Sequence, residues 1–326
     1  MRTDPYPKIY IDQTDQSLPE SIKNYEKYQY FSLLARGGSA TIMTCQDTIL
    51  NRKVAYKSLH KEVKKIEVEQ KRFLREARVT AMLQHPNTPP VYELGRDKHG
   101  DPYFTMKLIL GRTLKNIIEE LVENDRKTKE EFTLNRLLGA LIQVSNAIAY
   151  AHEHGVIHRD IKPGNIQIGA FGEVLMLDWG LAKVWGMPPD EEVDQHMTQK
   201  KEDLELTRVG KRQGTPLYMS PEQALGVSDI DERTDIFSLG SVLYEMLTLK
   251  NMFVGKSVHE LLNKLKHDDP IIPSERNPNR LVPKRLEEIC LKAIQRDRDK
   301  RYQDVMDFVN NIREFRQESL ESSEAN

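Results

Sequence analysis

Apolar residues along this chain fall into two regimes. Between Tyr30 and Leu110 they come in short runs: Phe31, Leu33 and Leu34, then Val54-Ala55-Tyr56, Val91-Tyr92-Glu93-Leu94, and Tyr103 to Leu110 broken only by Thr105 and Lys107. Runs of this length set off by Gly, Pro, Asn and Asp read as strands. The small-residue stretch Ala35-Arg36-Gly37-Gly38-Ser39-Ala40-Thr41-Ile42 predicts a hairpin turn. One helical pattern interrupts the strands. Over Lys61 to Gln84, Phe73, Ala77 and Met82 fall near one face, Glu76 faces inward with them, and His85-Pro86-Asn87 ends the helix.

From Leu114 onward the spacing becomes helical. Leu134 to His152 carries Leu137, Leu138, Leu141, Ile142, Val144 and Ile148 on one stripe, a period that buries one side of a long helix. Shorter amphipathic patterns cover Ser257 to His267, Pro283 to Arg296 and Gln303 to about Arg316. Residues 1–27 are polar and interrupted by Pro, and residues 317–326 are polar and acidic; both read as flexible extensions.

Composition narrows the function. The chain has 326 residues, ample for a large buried core, and its 48 basic and 50 acidic residues nearly cancel. No overall field recruits nucleic acid or an anionic membrane, so any phosphate binding must be local. Two cysteines, Cys45 and Cys290, lie far apart with no partner pattern, which argues against a disulfide framework or zinc site and suits a reducing compartment. No run of about 18 apolar residues reads as a membrane span. The expectation is a cytoplasmic protein.

The densest chemistry lies at His158-Arg159-Asp160-Ile161-Lys162-Pro163-Gly164-Asn165. An imidazole, two cations, a carboxylate and an amide share eight residues, and Pro163 and Gly164 stop them from continuing as a helix. Taken alone, such a stretch is also consistent with a charged surface turn. Its order, followed thirteen residues later by Asp178-Trp179-Gly180, resembles the protein kinases: the loop matches H-R-D-x-x-x-x-N and the tripeptide stands where they carry D-F-G. The resemblance is closest to the bacterial eukaryotic-like (Hanks-type) serine/threonine kinases.

That resemblance implies a two-lobed α+β fold over residues 28–316. Its small antiparallel-sheet lobe, with one main helix, would span 28–110, and a larger, mainly helical lobe 111–316. ATP and Mg²⁺ are the implied cofactors, and proteins bearing Ser or Thr the implied substrates. Asp160 would accept or orient the substrate hydroxyl proton, Lys162 would face the transferring phosphoryl group, and Asn165 and Asp178 would hold the metal. Lys57 stands at the lysine of V-A-I-K, suited to the α and β phosphates, with Glu76 as its partner; the residues alone leave open a pairing of Glu76 with Arg72 or Thr80. Leu34, Ala35, Gly37, Gly38, Ile42, Ala55, Met106, Lys107, Ile109 and Gln167 would enclose the nucleotide, with Met106 at its back and the backbone of Lys107 and Ile109 at the hinge.

The pattern departs from the family at four places. Ala35 and Ala40 replace two glycines of the phosphate lid, which predicts a stiffer, less closely fitting lid and weaker nucleotide binding without loss of the site. Trp179 replaces phenylalanine, and Gln167 stands at an apolar position, where a buried amide would need a partner. Together the lid and Gln167 keep open a scaffold reading, a pseudokinase that binds without turnover. Phosphorylation at Thr207, eight residues before Thr215, would dock on Arg159; Thr198 is a second candidate. Glu222 is expected to pair with Arg301, Asp235 to anchor the loop from below, and His158 to fix the loop and Asp178.

Overall fold

The computed structural model describes residues 25–184 and 216–324. They form two units, residues up to 84 with 89–111, and residues 85–88 with 112 onward. Unit 1 is built on a five-stranded sheet in the order β1-β2-β3-β5-β4, from β1 (Tyr28–Arg36), β2 (Ala40–Asp47), β3 (Arg52–Leu59), β4 (Val91–Arg96) and β5 (Pro102–Lys107). Neighbouring strands are antiparallel. Both faces of its centre are covered, which is why Val54, Ala55 and Tyr56 are all buried instead of alternating.

One face packs on helix α1 (Glu67–Met82), where Phe73 and Ala77 meet Phe104 beside Leu59, Val91 and Met106. The other holds Tyr28, Cys45, Val54, Tyr56 and Tyr103. There the Tyr28 and Tyr103 hydroxyls donate to the Glu93 carboxylate at 2.9 and 2.8 Å, and Lys27 pairs with the same group. Tyr56 stacks on Tyr103 with ring centroids 4.7 Å apart. Gly95 permits this, because a Cβ there would lie 2.9 Å from the Tyr103 ring.

Two expectations for α1 change. The helix starts at Glu67, not Lys61, because Lys64 reaches Asp101 at 2.5 Å and its carbonyl accepts from the Gln70 side chain, so residues 61–65 fold as turns. Met82, expected on the packed face, is 75% exposed at the helix end. The strands otherwise fall where the apolar runs place them, although β5 stops at Lys107 and leaves residues 108–110 outside regular structure.

The three-residue strand β6 (Gly111–Thr113) begins on the last residue of unit 1, and its Thr113, in unit 2, caps α2 (Leu114–Val122) in a reciprocal capping box with Asn116. Then come α3 (Arg126–Glu131), α4 (Leu134–Glu153), β7 (Val156–Ile157), β8 (Ile166–Gly169), β9 (Val174–Met176) and β10 (Lys183–Val184). After the undescribed stretch follow α5 (Pro221–Leu225), α6 (Arg233–Thr248), α7 (Val258–His267), α8 (Pro273–Arg276), α9 (Lys284–Ala293) and α10 (Val305–Glu324). The long helix expected over 134–152 is present within one residue, with all six stripe residues buried.

Helix α6 is the centre of this unit, buried on nearly every side. Gly240 lets α9 approach it closely, since a Cβ there would stand 2.7 Å from the Ala293 Cβ. The expected flexible tail is corrected: α10 continues as a helix to Glu324, eight residues past Arg316. The expected extension over 1–27 falls mostly outside the described residues. Cys45 and Cys290 are both buried free thiols, and no described helix is long and apolar enough to cross a membrane.

Candidate active site

In unit 1, Lys57 on β3 and Glu76 on α1 form an ion pair at 2.5 Å, with side chains only 12% and 10% exposed. The alternatives for Glu76 resolve accordingly. Arg72 pairs with Glu69 at 3.2 Å, and the Thr80 hydroxyl donates to the backbone carbonyl of Glu76, not to its carboxylate. Beside the pair, Ala55 and Met106 are register partners of β3 and β5, and the Lys107 N–H donates to the Pro90 carbonyl at 3.1 Å. Ile109 follows in the irregular stretch.

The phosphate-lid candidates form the β1–β2 hairpin. Ala35 pairs with Ile42, Gly37 donates its N–H to the Ala40 carbonyl at 2.9 Å, and Leu34 is 44% exposed. None of Ala35, Gly37, Gly38 and Ala40 has a positive φ. The two alanines therefore carry no left-handed strain.

In unit 2 the loop between β7 and β8 is pinned from below. Asp235, near the start of α6 and fully buried, accepts the His158 N–H at 2.8 Å and the Arg159 N–H at 2.9 Å. It also bonds the His152 ring at 2.8 Å. The Gln223 amide donates to the Arg159 carbonyl at 2.8 Å, and the Arg159 Nε–H donates to the Leu181 carbonyl at 2.7 Å. Sequence reading found Asp235 but missed His152 and Gln223. Neither residue type has a spacing that announces the role.

So held, the loop joins three candidates. Lys162 Nζ lies 2.6 Å from Asp160 Oδ2, and Asn165 Nδ2 donates to the Asp160 carbonyl at 2.9 Å and to its carboxylate at 3.1 Å. Asn165 thus spends its nitrogen inward, and its carbonyl oxygen is the group left to offer a cation. Asp178 and Arg159 both adopt positive φ, 64° and 65°, a cost that non-glycine residues accept mainly at constrained sites.

His158 is fully buried, accepts the Asp160 N–H on Nδ1 at 3.2 Å and bonds the Leu177 carbonyl through Nε2 at 3.3 Å. Its structural role stands, but its hydrogen bond goes to the residue before Asp178. Trp179 is fully buried with its ring 4.5 Å from that imidazole. Gln167, expected as a buried amide, is only half-buried on β8 opposite Leu175, so it requires no internal partner.

Electrostatics follow from the packing. Burial pushes the Asp160 carboxyl upward and the like charge of Asp178 adds to it, more than Lys162 offsets. Burial works against charge on Lys162 as well, but the adjacent Asp160 carboxylate outweighs it and keeps the ammonium protonated. Burial depresses His158 and holds it neutral. For Asp235 burial would raise the pKa, yet the His152 hydrogen bond and neighbouring charges hold it below the usual range.

Hydrogen-bonded carboxylate, ammonium and amide on one rigid loop, with a separate buried lysine–glutamate pair, is equipment for handling phosphate and a hard cation. Residues 28–312 match the protein kinase domain family. The chain belongs to it. Proteins of this family use ATP and in general a divalent metal. This kinase domain is 36% identical over 296 residues to the serine/threonine-protein kinase PknD of Protochlamydia amoebophila, covering 88% of the chain and 30% of that protein. It is 35% identical over 292 residues to PknD of Chlamydia muridarum, covering 86% and 31%. The chain therefore spans about a third of the curated relatives it matches. Thr198, Thr207 and Thr215 of the kinase domain lie outside the described residues.

The donor set fits a metal that asks little of the protein. Among the described residues no three His, Cys, Asp or Glu side chains cluster as metal ligands. An amide oxygen from Asn165 and the Asp178 carboxylate are hard oxygen ligands, the number Mg²⁺ takes when waters and substrate phosphates supply the rest.

Proposed function

We propose that this chain is an ATP-dependent serine/threonine protein kinase that transfers the γ-phosphoryl group to hydroxyls of protein substrates. The observation that carries the reading is the bonded set of Asp160, Lys162 and Asn165 on a loop anchored by Asp235. Asp160 orients the substrate hydroxyl and receives its proton, a role that a raised carboxyl pKa favours. Lys162 offers a point charge to the phosphoryl oxygens, and Lys57, fixed by Glu76, serves the α and β phosphates. Leu34, Ala35, Gly37, Gly38, Ile42, Ala55, Met106, Lys107 and Ile109 are the nucleotide contacts of unit 1. Asn165 and Asp178 would hold Mg²⁺, which would supply positive charge to neutralise the phosphates.

The similarity to the serine/threonine-protein kinases PknD supports this reading, and the buried free thiols of Cys45 and Cys290 fit a reducing, cytoplasmic setting. Incubation with labelled ATP and Mg²⁺ tests it. Label should enter the chain itself or a generic basic protein and vanish in Asp160→Asn. Thermal stabilisation by Mg-ATP with no turnover would favour the scaffold reading instead. Autophosphorylation at Thr207 is a separate proposal, checked by mass spectrometry of the labelled chain; unmodified loop peptides alongside an active enzyme would refute it.

A further inference from the structure

A cavity of about 270 Å³ lies wholly within unit 2, and no residue of the loop 158–165 lines it. Its floor is apolar, formed by Phe132, Ile168 and Val174, and its wall is the first turns of α4 at Gly139 and Ala140, with the polar side chains of Thr133, Asn135 and Gln143 beside them. Small-molecule pockets run to roughly 300–1,000 Å³, so this space suits one large apolar side chain better than a whole ligand.

The rim is positive for three independent reasons. Arg316 from α10 reaches across and donates its Nε–H to the Asn135 side-chain oxygen at 2.6 Å, and among the described residues it has no carboxylate partner. A neutral amide positions this guanidinium without cancelling its charge. Arg136 stands on the same rim, stacked on Phe132 at 4.4 Å, although Glu131 offsets part of its charge. The wall is also the N-terminal end of the 20-residue helix α4, the positive end of its dipole. Gly139 makes the space: a side chain there would grow toward the Arg316 guanidinium, whose atoms lie 3.6–3.8 Å from its would-be Cβ.

We propose that this cavity docks an acidic segment of a partner protein through one aliphatic or aromatic anchor flanked by carboxylates. The anchor fills the floor between α4 and the β8–β9 hairpin while the carboxylates meet Arg316 and Arg136. The site holds a partner without touching the phosphate-handling residues, so it is testable whether or not the chain is an active kinase.

The probe is the fluorescein-labelled peptide Glu-Glu-Leu-Phe-Glu-Glu, with Lys-Lys-Leu-Phe-Lys-Lys as its charge reversal, followed by anisotropy on the whole chain at low salt. The acidic peptide should bind at least tenfold tighter than the reversed one. Arg316→Glu and Gly139→Trp should each weaken it at least tenfold, while the exposed control Arg285→Glu should leave it within twofold. Melting curves establish that each variant is folded, and if Gly139→Trp is not, Arg316→Glu alone decides. Equal binding of the two peptides, binding of neither, or indifference to Arg316→Glu would each overturn the proposal.

Discussion

Asp235 does with two oxygens what no neutral residue can repeat. Each oxygen accepts a backbone N–H of the loop, and one also meets His152, so the carboxylate anchors the start of the loop that carries Asp160, Lys162 and Asn165. Asp235→Asn turns an NH2 group toward a backbone donor and should cost about 2–4 kcal/mol of stability. Phosphoryl transfer should fall at least tenfold with ATP KM little changed, measurable by denaturant melts and steady-state kinetics. Glu222 and Arg301, joined at 2.7 and 2.8 Å and nearly fully buried, were legible in the sequence because the resemblance supplied both ends. Removing one partner in Glu222→Gln should cost about 3–5 kcal/mol. Gln223, the next residue along, was illegible: its neighbour in space, the Arg159 carbonyl, is 64 positions away in the chain.

At the scale of elements, period served well wherever packing alone decides. Helix α4 reads directly because its stripe lies on the core, whereas the start of α1 does not, since Lys64 turns toward Asp101 far along the chain. Helix α10 outran its apolar signal for another reason: its polar last turns need no buried face to remain helical. The lid hairpin offers the sharpest test. Because Ala35 and Ala40 sit in ordinary strand geometry, the double change to glycine should destabilise unit 1 by about 0.5–1 kcal/mol per site and leave nucleotide affinity within threefold. Calorimetric titration with an ATP analogue, paired with melting curves, measures both. A gain of tenfold or more in affinity would show that the alanines do impair the lid.

For the molecule as a whole, acid should be the weak direction. His158 is depressed by burial, so the unfolded chain takes up its proton first as pH falls below about 6.5. Burial would raise Glu222, but the Arg301 bonds outweigh it, and Glu222 and Asp235 both end below ordinary carboxylate values. Their stabilisation is complete above about pH 4–5 and drains away below it. Stability should therefore decline gently from pH 7 to 5 and steeply from 5 to 3. A flat profile in urea melts across that range would contradict these assignments.

The phenols of Tyr28, Tyr56 and Tyr103 pack together in unit 1, while Trp179 is fully buried in unit 2. Unit 2 also holds buried phenols, Tyr244 and Tyr302, so the phenol signal covers both units and the Trp179 indole only one. Burial drives the Tyr28 and Tyr302 hydroxyls each up to about 12, so alkaline ultraviolet titration registers the opening of either unit, whereas the emission of Trp179 follows unit 2. Overlaid traces from the two signals would reveal one cooperative transition or two, with no label attached.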